Sequence, residues 1–334
     1  MREPNLPDNP ADPDETSHQG DSTEQAEQAD HIIRATALNG FVRAFACRTT
    51  QTCQTAMQVH GLSPVVAAAL GRLMSGVLML TQDLSEPGDS ITAIIRCEGE
   101  IEGMTVIGEQ DATVRGTVLQ PVVKTTYHRP GKLDVGAAIG KGTLTVVRDM
   151  HLKEPYVGRV ELVSGEIAED LVQYLAVSEQ IPTILALGVK MDRQGITHAG
   201  GLMVQLMPGA DNSVIDYLEK RAAGFPEITG FMEDGFTPAQ IIDLFLGDPD
   251  IRYHTTTPCG YACPCSRERM ERNLIALGHD ELAHLAAEPD GIELICHFCG
   301  THYAISRQDV ENLLKHTRIT EKTGIGRLPC QSED

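Results

Sequence analysis

The chain has 334 residues, of which 41% are hydrophobic, so it is long enough for one large domain or for two to three smaller ones. Its formal net charge of −20 disfavours binding to a nucleic-acid backbone, which requires a basic surface. The opening sequence MREPNLPDNPADPDETSHQG contains no apolar run of the kind found in a signal peptide. We therefore expect a cytoplasmic protein that binds neither nucleic acid nor membrane.

Residues 1–30 are predicted to form a disordered acidic tail. They contain nine acidic residues, four prolines and a single arginine. A segment of this composition cannot bury enough apolar surface to offset the entropy that is lost when a chain becomes ordered.

Residues 31–210 are predicted to form a core domain of the α+β class. Ser63 and Pro64 suit the N-cap and the first turn of a helix that runs to about Leu80, and the apolar sequence SPVVAAALGRLMSGVLML predicts a buried helix. Segments of alternating hydrophobicity follow, which favours antiparallel sheets over a doubly wound parallel sheet. The predicted strands include SITAIIRCEGE, EGMTVIGE, ATVRGTVLQ, GTLTVVRDM, YVGRVELV, TILALGVKMD and GITHAGGLMVQLMP.

The segment GEIAEDLVQYLAVSEQ predicts a further helix in this core domain, with Leu171 and Tyr174 on its apolar face. Glu166, Glu169 and Asp170 lie beside these apolar positions. We expect the three carboxylates to lie on a solvated face of the helix and not to act as a catalytic pair.

Residues 211–258 are predicted to form a helical linker. The segments NSVIDYLEKRAAGF and TPAQIIDLFLGD are short and amphipathic. Thr237 and Gln240 have the spacing of a capping box, Pro238 suits the first helical position, and Gly247 suits the end of the second helix. Helices this short are marginal in isolation, so we expect the linker to depend on packing against its neighbours.

Residues 259–320 are predicted to form a small α+β module, followed by a C-terminal tail at residues 321–334. Ser266 can cap one helix, Asp280 can open a second, and Ser306 can cap the last. The segments IELIC and THYAI predict a β-hairpin, whose turn carries the sequence CHFC.

Four cysteines of this module have the spacing of a metal site. Cys263 and Cys265 form a C-x-C pair, and Cys296 and Cys299 form a C-x-x-C pair. Two close pairs separated by about thirty residues suit a tetrahedral site, in which zinc takes four ligands and lies about 2.3 Å from each sulfur. Because no coordination position stays open, we expect a structural zinc site and not a hydrolytic one. Unligated core thiols are a weaker alternative, because free core cysteines rarely come in pairs at ligand spacing. A permanent disulfide framework is weaker still, because disulfides are rare in a reducing compartment.

The size of the module makes the metal important. A module of about sixty residues has a thin core, worth about 3–5 kcal/mol, whereas structural zinc supplies about 10–16 kcal/mol of apparent binding free energy in zinc-finger peptides. Oxidation of the ligands would remove the metal, because a disulfide cannot present two thiolates. Zinc also keeps the sulfurs deprotonated, which is the form that oxidants attack. The site therefore has the parts of a reversible redox switch, although the spacing alone leaves its use open.

The remaining thiols and histidines have less specific signals. Cys259 lies four residues before Cys263 and is a candidate accessory thiol, either as an alternative ligand or as a resolving cysteine. His297 and His302 are expected to be exposed residues of the hairpin. Three further cysteines are expected to be core or half-buried thiols, and one lies on the C-terminal tail: Cys47, Cys53, Cys97 and Cys330.

The stretch CPCSRERMERNLIALGHDEL, together with CHFCGTHYAI, resembles the zinc module of the heat shock protein 33 (Hsp33) family of redox-regulated chaperones. Upstream segments resemble the core of the same family, so that the similarity covers about residues 31 to 316. These segments are VRAFACRTTQT, SPVVAAALGRLMSG, VRGTV, PYVGRVELVSGEIAEDLVQYLAVSEQIPT and GGLMVQLMPGA.

The resemblance implies a cytosolic holdase that needs no ATP, is not an enzyme, and binds unfolding client proteins under oxidative stress. It implies that the reduced protein with zinc bound by the four cysteines is inactive. It further implies that oxidation forms the disulfides Cys263–Cys265 and Cys296–Cys299, releases zinc, unfolds the module and linker, and yields an active homodimer. The apolar linker residues that we expect to change exposure are Val214, Ile215, Leu218, Ile241, Ile242 and Phe245.

Two alternatives remain open from the residues alone. A thiol–disulfide oxidoreductase using Cys296 and Cys299 would place the C-x-x-C sequence at the N-terminus of a helix. A zinc ribbon that docks onto nucleic acid or onto a protein assembly would keep the metal site without the switch, although the acidic charge disfavours nucleic acid.

Overall fold

Residues 29–124, 127–129 and 132–323 are described by the computed structural model, with side chains except at residue 129 and residues 316–323. Residues 1–28 of the predicted acidic tail (1–30) and the C-terminal residues 324–334, with Cys330, lie outside this part of the chain, so the expectations for them stay predictions. The last residue of the predicted tail departs from the expectation, because Asp30 is buried and its carboxylate accepts a hydrogen bond from Thr52 N at 2.6 Å.

Sixteen strands are present in the described residues, and all their pairings but one are antiparallel. In chain order they are β1 (His31–Ala37), β2 (Val42–Arg48), β3 (Ser90–Cys97), β4 (Gly103–Glu109), β5 (Thr113–Val118), β6 (Tyr127–Arg129), β7 (Lys132–Leu133), β8 (Gly142–Asp149), β9 (Tyr156–Glu161), β10 (Thr183–Met191), β11 (Ile196–Leu206), β12 (Arg252–Tyr253), β13 (Thr257–Pro258), β14 (Gly260–Tyr261), β15 (Ile292–Ile295) and β16 (His302–Ile305).

Ten α-helices accompany the strands in the described residues. They are α1 (Thr50–His60), α2 (Pro64–Leu80), α3 (Val135–Ile139), α4 (Ala168–Tyr174), α5 (Asn212–Ala223), α6 (Ile228–Glu233), α7 (Pro238–Leu246), α8 (Arg267–Ala276), α9 (His279–Leu285) and α10 (Arg307–Thr323). The α+β class expected from the sequence is confirmed, and the antiparallel sheets and the buried helix are present.

Two six-stranded sheets pack against the central helix α2. The first sheet has the order β10-β11-β2-β1-β12, with β13 also paired to β1, and the second has the order β14-β5-β4-β3-β8-β9. The sequence predicted seven of these twelve strands. It missed β1 and β2, which lie in the middle of the first sheet, and the two-residue strands β12, β13 and β14.

Helix α2 begins at Pro64, directly after Ser63, as the sequence predicts. Fifteen of its seventeen residues are buried, because it contacts strands of both sheets. By length and composition the segment Pro64–Asp83 is suited to cross a membrane, but 89% of its apolar window is buried inside the protein. The helix therefore serves as the centre of the main hydrophobic core, which contains forty buried residues.

Asp170 is a correction to the expectation of a solvated helix face. Its side chain is fully buried, with 0% exposure, and its carboxylate accepts hydrogen bonds from the backbone N–H groups of Val163 at 2.7 Å and Ile167 at 3.1 Å. The residue therefore holds the turn that precedes α4 in place, a role that helical periodicity does not reveal.

The linker helices α5, α6 and α7 cover the outer face of the first sheet. Together with β1, β2 and β11 they form a second hydrophobic cluster of fifteen buried residues. The capping box of Thr237 and Gln240 is present, with Thr237 Oγ1 accepting from Gln240 N at 3.3 Å, and Gly247 ends α7 in the left-handed conformation. Of the six apolar linker residues singled out in the sequence, four are buried and two, Val214 and Ile215, are half-buried.

The C-terminal module consists of α8, α9, the hairpin β15–β16 and α10. The caps predicted at Ser266 and Ser306 are present, because Ser266 Oγ accepts from Arg269 N and Ser306 Oγ accepts from Asp309 N. Among the side chains that the structure describes, its hydrophobic cluster contains five buried residues: Leu274, Leu282, Ala286, Ile305 and Val310.

Candidate metal centre

The four cysteines predicted as ligands come together in the structure. Their Sγ atoms all lie within 4.8 Å of one another. Cys263 Sγ lies 3.7 Å from Cys296 Sγ, and Cys265 Sγ lies 3.3 Å from Cys299 Sγ. An ideal tetrahedral zinc site has sulfur atoms about 3.8 Å apart, whereas bonded disulfide sulfurs are separated by about 2.05 Å. The donor set therefore fits a zinc ion and does not correspond to a disulfide.

Each pair of ligands comes from a different kind of backbone. Cys263 and Cys265 lie in the irregular segment between β14 and α8, and the other pair lies at the hairpin turn between β15 and β16. Cys296 N donates to Thr301 O at 3.0 Å, and Gly300 N donates to Cys296 O at 2.8 Å, which closes the turn. Gly300 has a φ of +68°, a left-handed conformation that glycine adopts without strain.

Hydrogen-bond donors from the hairpin point at the sulfurs. Tyr303 Oη donates to Cys265 Sγ at 3.0 Å. Partial burial raises the pKa of the Cys299 thiol, but hydrogen bonds with Thr301, Cys265 and Cys296 together outweigh this effect and lower that pKa to about 7. Burial raises the pKa of Cys263 and of Cys296. A metal ion that favours the thiolate form is therefore needed to hold all four sulfurs deprotonated at neutral pH.

The arrangement suits a structural site. Four sulfurs complete the coordination shell of zinc, so no position is left for a water molecule or a substrate. The Cys296–Cys299 pair lies in a hairpin turn and not at the N-terminus of a helix. The geometry expected of a thioredoxin-like dithiol is therefore missing at this pair.

Cys259 lies apart from the four clustered thiols. Its Sγ is 3.7 Å from the backbone carbonyl of Arg48, and its side chain packs against the main hydrophobic core. Burial raises the pKa of the Cys259 thiol. The thiol is therefore poorly placed for reaction in the folded state, and an accessory role stays a prediction for a state in which this segment has unfolded.

The other thiols and the hairpin histidines lie where the sequence predicts. Cys47 and Cys53 are buried, with the pKa of both thiols raised by burial, and Cys97 is half-buried. His297 and His302 are exposed, and His302 Nδ1 lies 2.9 Å from a carboxylate oxygen of Glu293. Because both histidines are exposed, the four thiols by themselves form the candidate donor set.

A contact between the metal centre and the core domain was not found from the sequence. Tyr261 Oη donates to Gly116 O at 3.0 Å and also lies against the carbonyl of Phe298, which is in the CHFC turn. The guanidinium of Arg115 lies 5.5 Å from the centre of the Phe298 ring. These residues, together with His60, form a junction that joins the metal-bearing turn to β5 and α1.

Comparison with known proteins gives a consistent result over most of the chain. The sequence profile of the Hsp33 protein family matches residues 30–306. The 33 kDa chaperonin of Ruminiclostridium cellulolyticum is 45% identical over 286 residues, which are 86% of this chain and 98% of that protein. The 33 kDa chaperonin of Acetivibrio thermocellus is 43% identical over 287 residues, which are 86% of this chain and 97% of that protein.

A solved structure agrees in fold. The crystal structure of the 33 kDa chaperonin (heat shock protein 33 homolog) from Thermotoga maritima aligns with a TM-score of 0.80 at 34% sequence identity. The alignment covers 87% of this chain and 100% of that one. The similarity therefore extends through the core, the linker helices and the four clustered cysteines.

Proposed function

This chain belongs to the Hsp33 family of chaperones, and from that premise we propose that it is a redox-regulated, ATP-independent holdase. In this proposal the protein acts in the cytoplasm, has no enzymatic activity, and binds unfolding client proteins. It is inactive while reduced with zinc bound and becomes active when disulfides form and zinc leaves. The observation that carries the proposal is the group of four thiols, within 4.8 Å of one another, in a module whose hydrophobic cluster has five buried residues among the described side chains.

The metal ligands in this proposal are Cys263, Cys265, Cys296 and Cys299. A zinc ion held by them would supply positive charge that favours the thiolate form and would cross-link two separate segments of the module. The side chains around the thiols support the same arrangement, because Tyr303 and Thr301 direct hydroxyl groups at the sulfurs.

Stability of the module depends on these ligands in our proposal. A small hydrophobic core contributes about 3–5 kcal/mol at most, which is close to the level at which a domain no longer folds. We therefore propose that the chain divides into a core domain at residues 31–210 and a redox-switch domain at residues 259–320.

Unfolding of the module would reach the linker, residues 211–258, through a short connection. Strand β13 pairs with β1, and Cys259 N donates to Asp30 O at 3.1 Å. Strand β14 pairs with β5 in parallel. Strands β13 and β14 have only two residues each. Their pairing with β1 and β5 is therefore weak once the module beyond them no longer holds its position.

Release of the linker would expose apolar surface on the first sheet. Helix α7 buries Ile241, Ile242 and Phe245 completely, with 0% exposure each. The helices α5, α6 and α7 have 12, 6 and 9 residues, which is too short for stability in isolation. Exposed patches of this kind bind other proteins, which supports both client binding and the homodimer that we propose for the oxidised form.

The oxidation step needs a two-electron oxidant for each disulfide. Hydrogen peroxide accepts two electrons and two protons for each pair of thiols and gives two molecules of water, so two equivalents of peroxide oxidise all four thiols. The disulfides that we propose are Cys263–Cys265 and Cys296–Cys299. The shortest sulfur distances are between the other partners, 263 with 296 and 265 with 299. The peptide map of the oxidised protein is therefore a necessary part of the test.

A single oxidation time course tests the proposal. The reduced, zinc-loaded protein is treated with peroxide at mild heat, and aliquots are assayed for released zinc, for disulfides by peptide mapping, and for suppression of light scattering by a thermally unfolding protein. We expect release of about one zinc per chain, in step with suppression and without added ATP. Equal suppression by the reduced, zinc-loaded protein would contradict redox control.

A further inference from the structure

Strand β10 differs from the other edge strands of the two sheets. Edges are a hazard in folded proteins, because an open row of backbone groups pairs with other chains, and proteins therefore keep edges short or charged. Strands β12 and β14 have two residues each, and the six-residue β9 contains Arg159 and Glu161. By contrast, β10 has nine residues, TILALGVKM, with a single charged residue, Lys190, near its end.

The pairing pattern identifies which groups of β10 point outward. Ala199 on β11 donates its N–H to Thr50 Oγ1 at 3.1 Å, and its carbonyl accepts from Thr49 N at 2.8 Å. Both groups of Ala199 therefore point away from β10. Opposite residues in an antiparallel pair exchange either both hydrogen bonds or neither, so Val189, which lies opposite Ala199, directs its own N–H and carbonyl to the open edge.

The same alternation applies along the strand. Leu187 and Leu185 lie two and four residues before Val189, so their backbone groups also point outward. In the part of the chain that the structure describes, β10 pairs only with β11, and the outward groups of these three residues have no hydrogen-bond partner. They form an open ladder of three donors and three acceptors.

A cleft of about 1510 Å³ runs along this edge. One wall includes Lys132 and Leu133 of the β6–β7 hairpin, and the other is the turn at residues 225–230, which precedes and begins α6. Lys132 Nζ lies 3.8 Å from a carboxylate oxygen of Glu227, so that the walls meet at one point. Most side chains of β10 are half-buried, whereas those of the neighbouring β11 are mostly buried. The cleft therefore combines unpaired backbone groups with partly exposed apolar side chains.

We propose that the open edge of β10 binds an extended segment of an unfolding polypeptide by strand addition. Backbone groups of the segment pair with the outward groups of Leu185, Leu187 and Val189, and its alternate apolar side chains contact the cleft walls. An unfolding protein is the partner with this chemistry, because it presents unpaired backbone and apolar side chains together. This inference rests on the proposed chaperone function and gives it a binding mode that depends little on client sequence.

The linker forms one wall of this cleft, which connects the site to the proposed switch. Gly188 of β10 lies so close to Ile228 and Thr229 that a Cβ atom built on it would be 2.7 Å and 2.6 Å from their side chains. Departure of the linker removes this wall and widens access to the edge. Binding is therefore expected to be stronger in the oxidised protein than in the reduced, zinc-loaded protein.

The test uses a fluorescent ten-residue peptide that alternates valine with lysine and carries a photoreactive side chain. A matched control peptide has the same sequence with N-methyl groups on alternate residues, which removes the N–H donors of one edge. With oxidised full-length protein we expect the first peptide to bind and to form cross-links at residues 183–191 or on the cleft walls. We expect the N-methylated peptide to bind at least about tenfold more weakly.

A pair of protein variants tests the same edge from the other side. Leu185→Pro and Leu185→Ala both remove the side chain, but only proline removes the outward N–H, and it removes no bond to β11. We expect weaker peptide binding for the proline variant than for the alanine variant. Circular dichroism checks that both variants fold. If the proline variant does not fold, the N-methylated peptide still tests the proposal on the unaltered chain.

Three results would overturn the inference. These are equal binding of the two peptides, cross-links confined to residues 33–46 on the face that the linker covers, and β10-to-β10 cross-links between two copies of the chain without peptide. Any of these results, obtained with a protein that still suppresses aggregation only when oxidised, rejects strand addition and leaves the proposed function standing. If the unaltered protein does not suppress aggregation in a redox-dependent way, the proposed function itself is rejected.

Discussion

The core domain and the C-terminal module differ in what holds each of them together. In the described residues, the main core cluster contains forty buried residues around α2, whereas the hydrophobic cluster of the module contains five, next to four clustered thiols. A core of the first size is stable through hydrophobic burial, and one of the second size needs a further cross-link. Under the proposed function, the difference teaches how one chain combines a core domain that stays folded with a small module whose folding depends on a metal held by four sulfurs.

Removal of the metal is expected to have the largest effect on this difference. Chelation of zinc removes an interaction worth about 10–16 kcal/mol in zinc-finger peptides, far more than the core of the module supplies, and Cys296→Ser weakens it by removing one of the four ligands. Hydrogen exchange should then show loss of protection at residues 263–314, while α2 stays protected. Equal protection of the module with and without metal would contradict the comparison.

Truncation of Phe245 in the linker is the next largest change. Its ring is fully buried and packs edge-on against Phe225, with ring centroids 4.9 Å apart. Phe245→Ala is expected to destabilise the linker by about 3–5 kcal/mol, which should raise suppression of aggregation by the reduced protein. Leu244→Ala is the control, because Leu244 lies on the same helix and is 39% exposed. No increase with Phe245→Ala over that control would mean that linker packing does not restrain activity.

A substitution in the small core of the module tests how thin that core is. Leu282→Ala removes a side chain that is 0% exposed and is expected to cost about 2–5 kcal/mol, which is comparable with everything that the apolar core contributes. Zinc should then be lost at a lower chelator concentration. Leu277→Ala, at a residue that is 56% exposed, serves as the control. Unchanged zinc retention in Leu282→Ala would show that the cluster contributes little to the fold of the module.

The junction between the two regions carries the smallest predicted effect. Tyr261→Phe removes the single hydroxyl proton that lies between the carbonyls of Gly116 and Phe298, and a hydrogen bond of this kind is worth about 0.5–1.5 kcal/mol. We expect zinc release to a chelator to become several-fold faster, since the turn is held less firmly. In the control Tyr156→Phe, the lost hydrogen bond is to Ser178 O, at the edge strand β9. Equal rates of zinc release in the two variants would mean that the junction does not contribute to retention of the metal.

Local patterns in the sequence determined much of what the structure contains. The caps at Thr237, Ser266 and Ser306, the helix beginning at Pro64 and the β-hairpin with its CHFC turn all depend on residues within a few positions of one another. The spacing within each cysteine pair is local in the same sense, and the two pairs, about thirty residues apart, were identified as one site before their distances were known. The physical reason is that capping, turn formation and paired ligation require only short-range geometry.

Only the tertiary structure decided the features that join distant segments. The central position of β1 and β2, the burial of Asp170, the Tyr261 junction and the open edge of β10 each depend on which segments lie side by side. The apolar sequence of β10 predicts a strand, but it is the same whether that strand lies at the centre of a sheet or at its edge. A strand's partners are set by the packing of the whole domain, and periodicity within one segment carries no information about them.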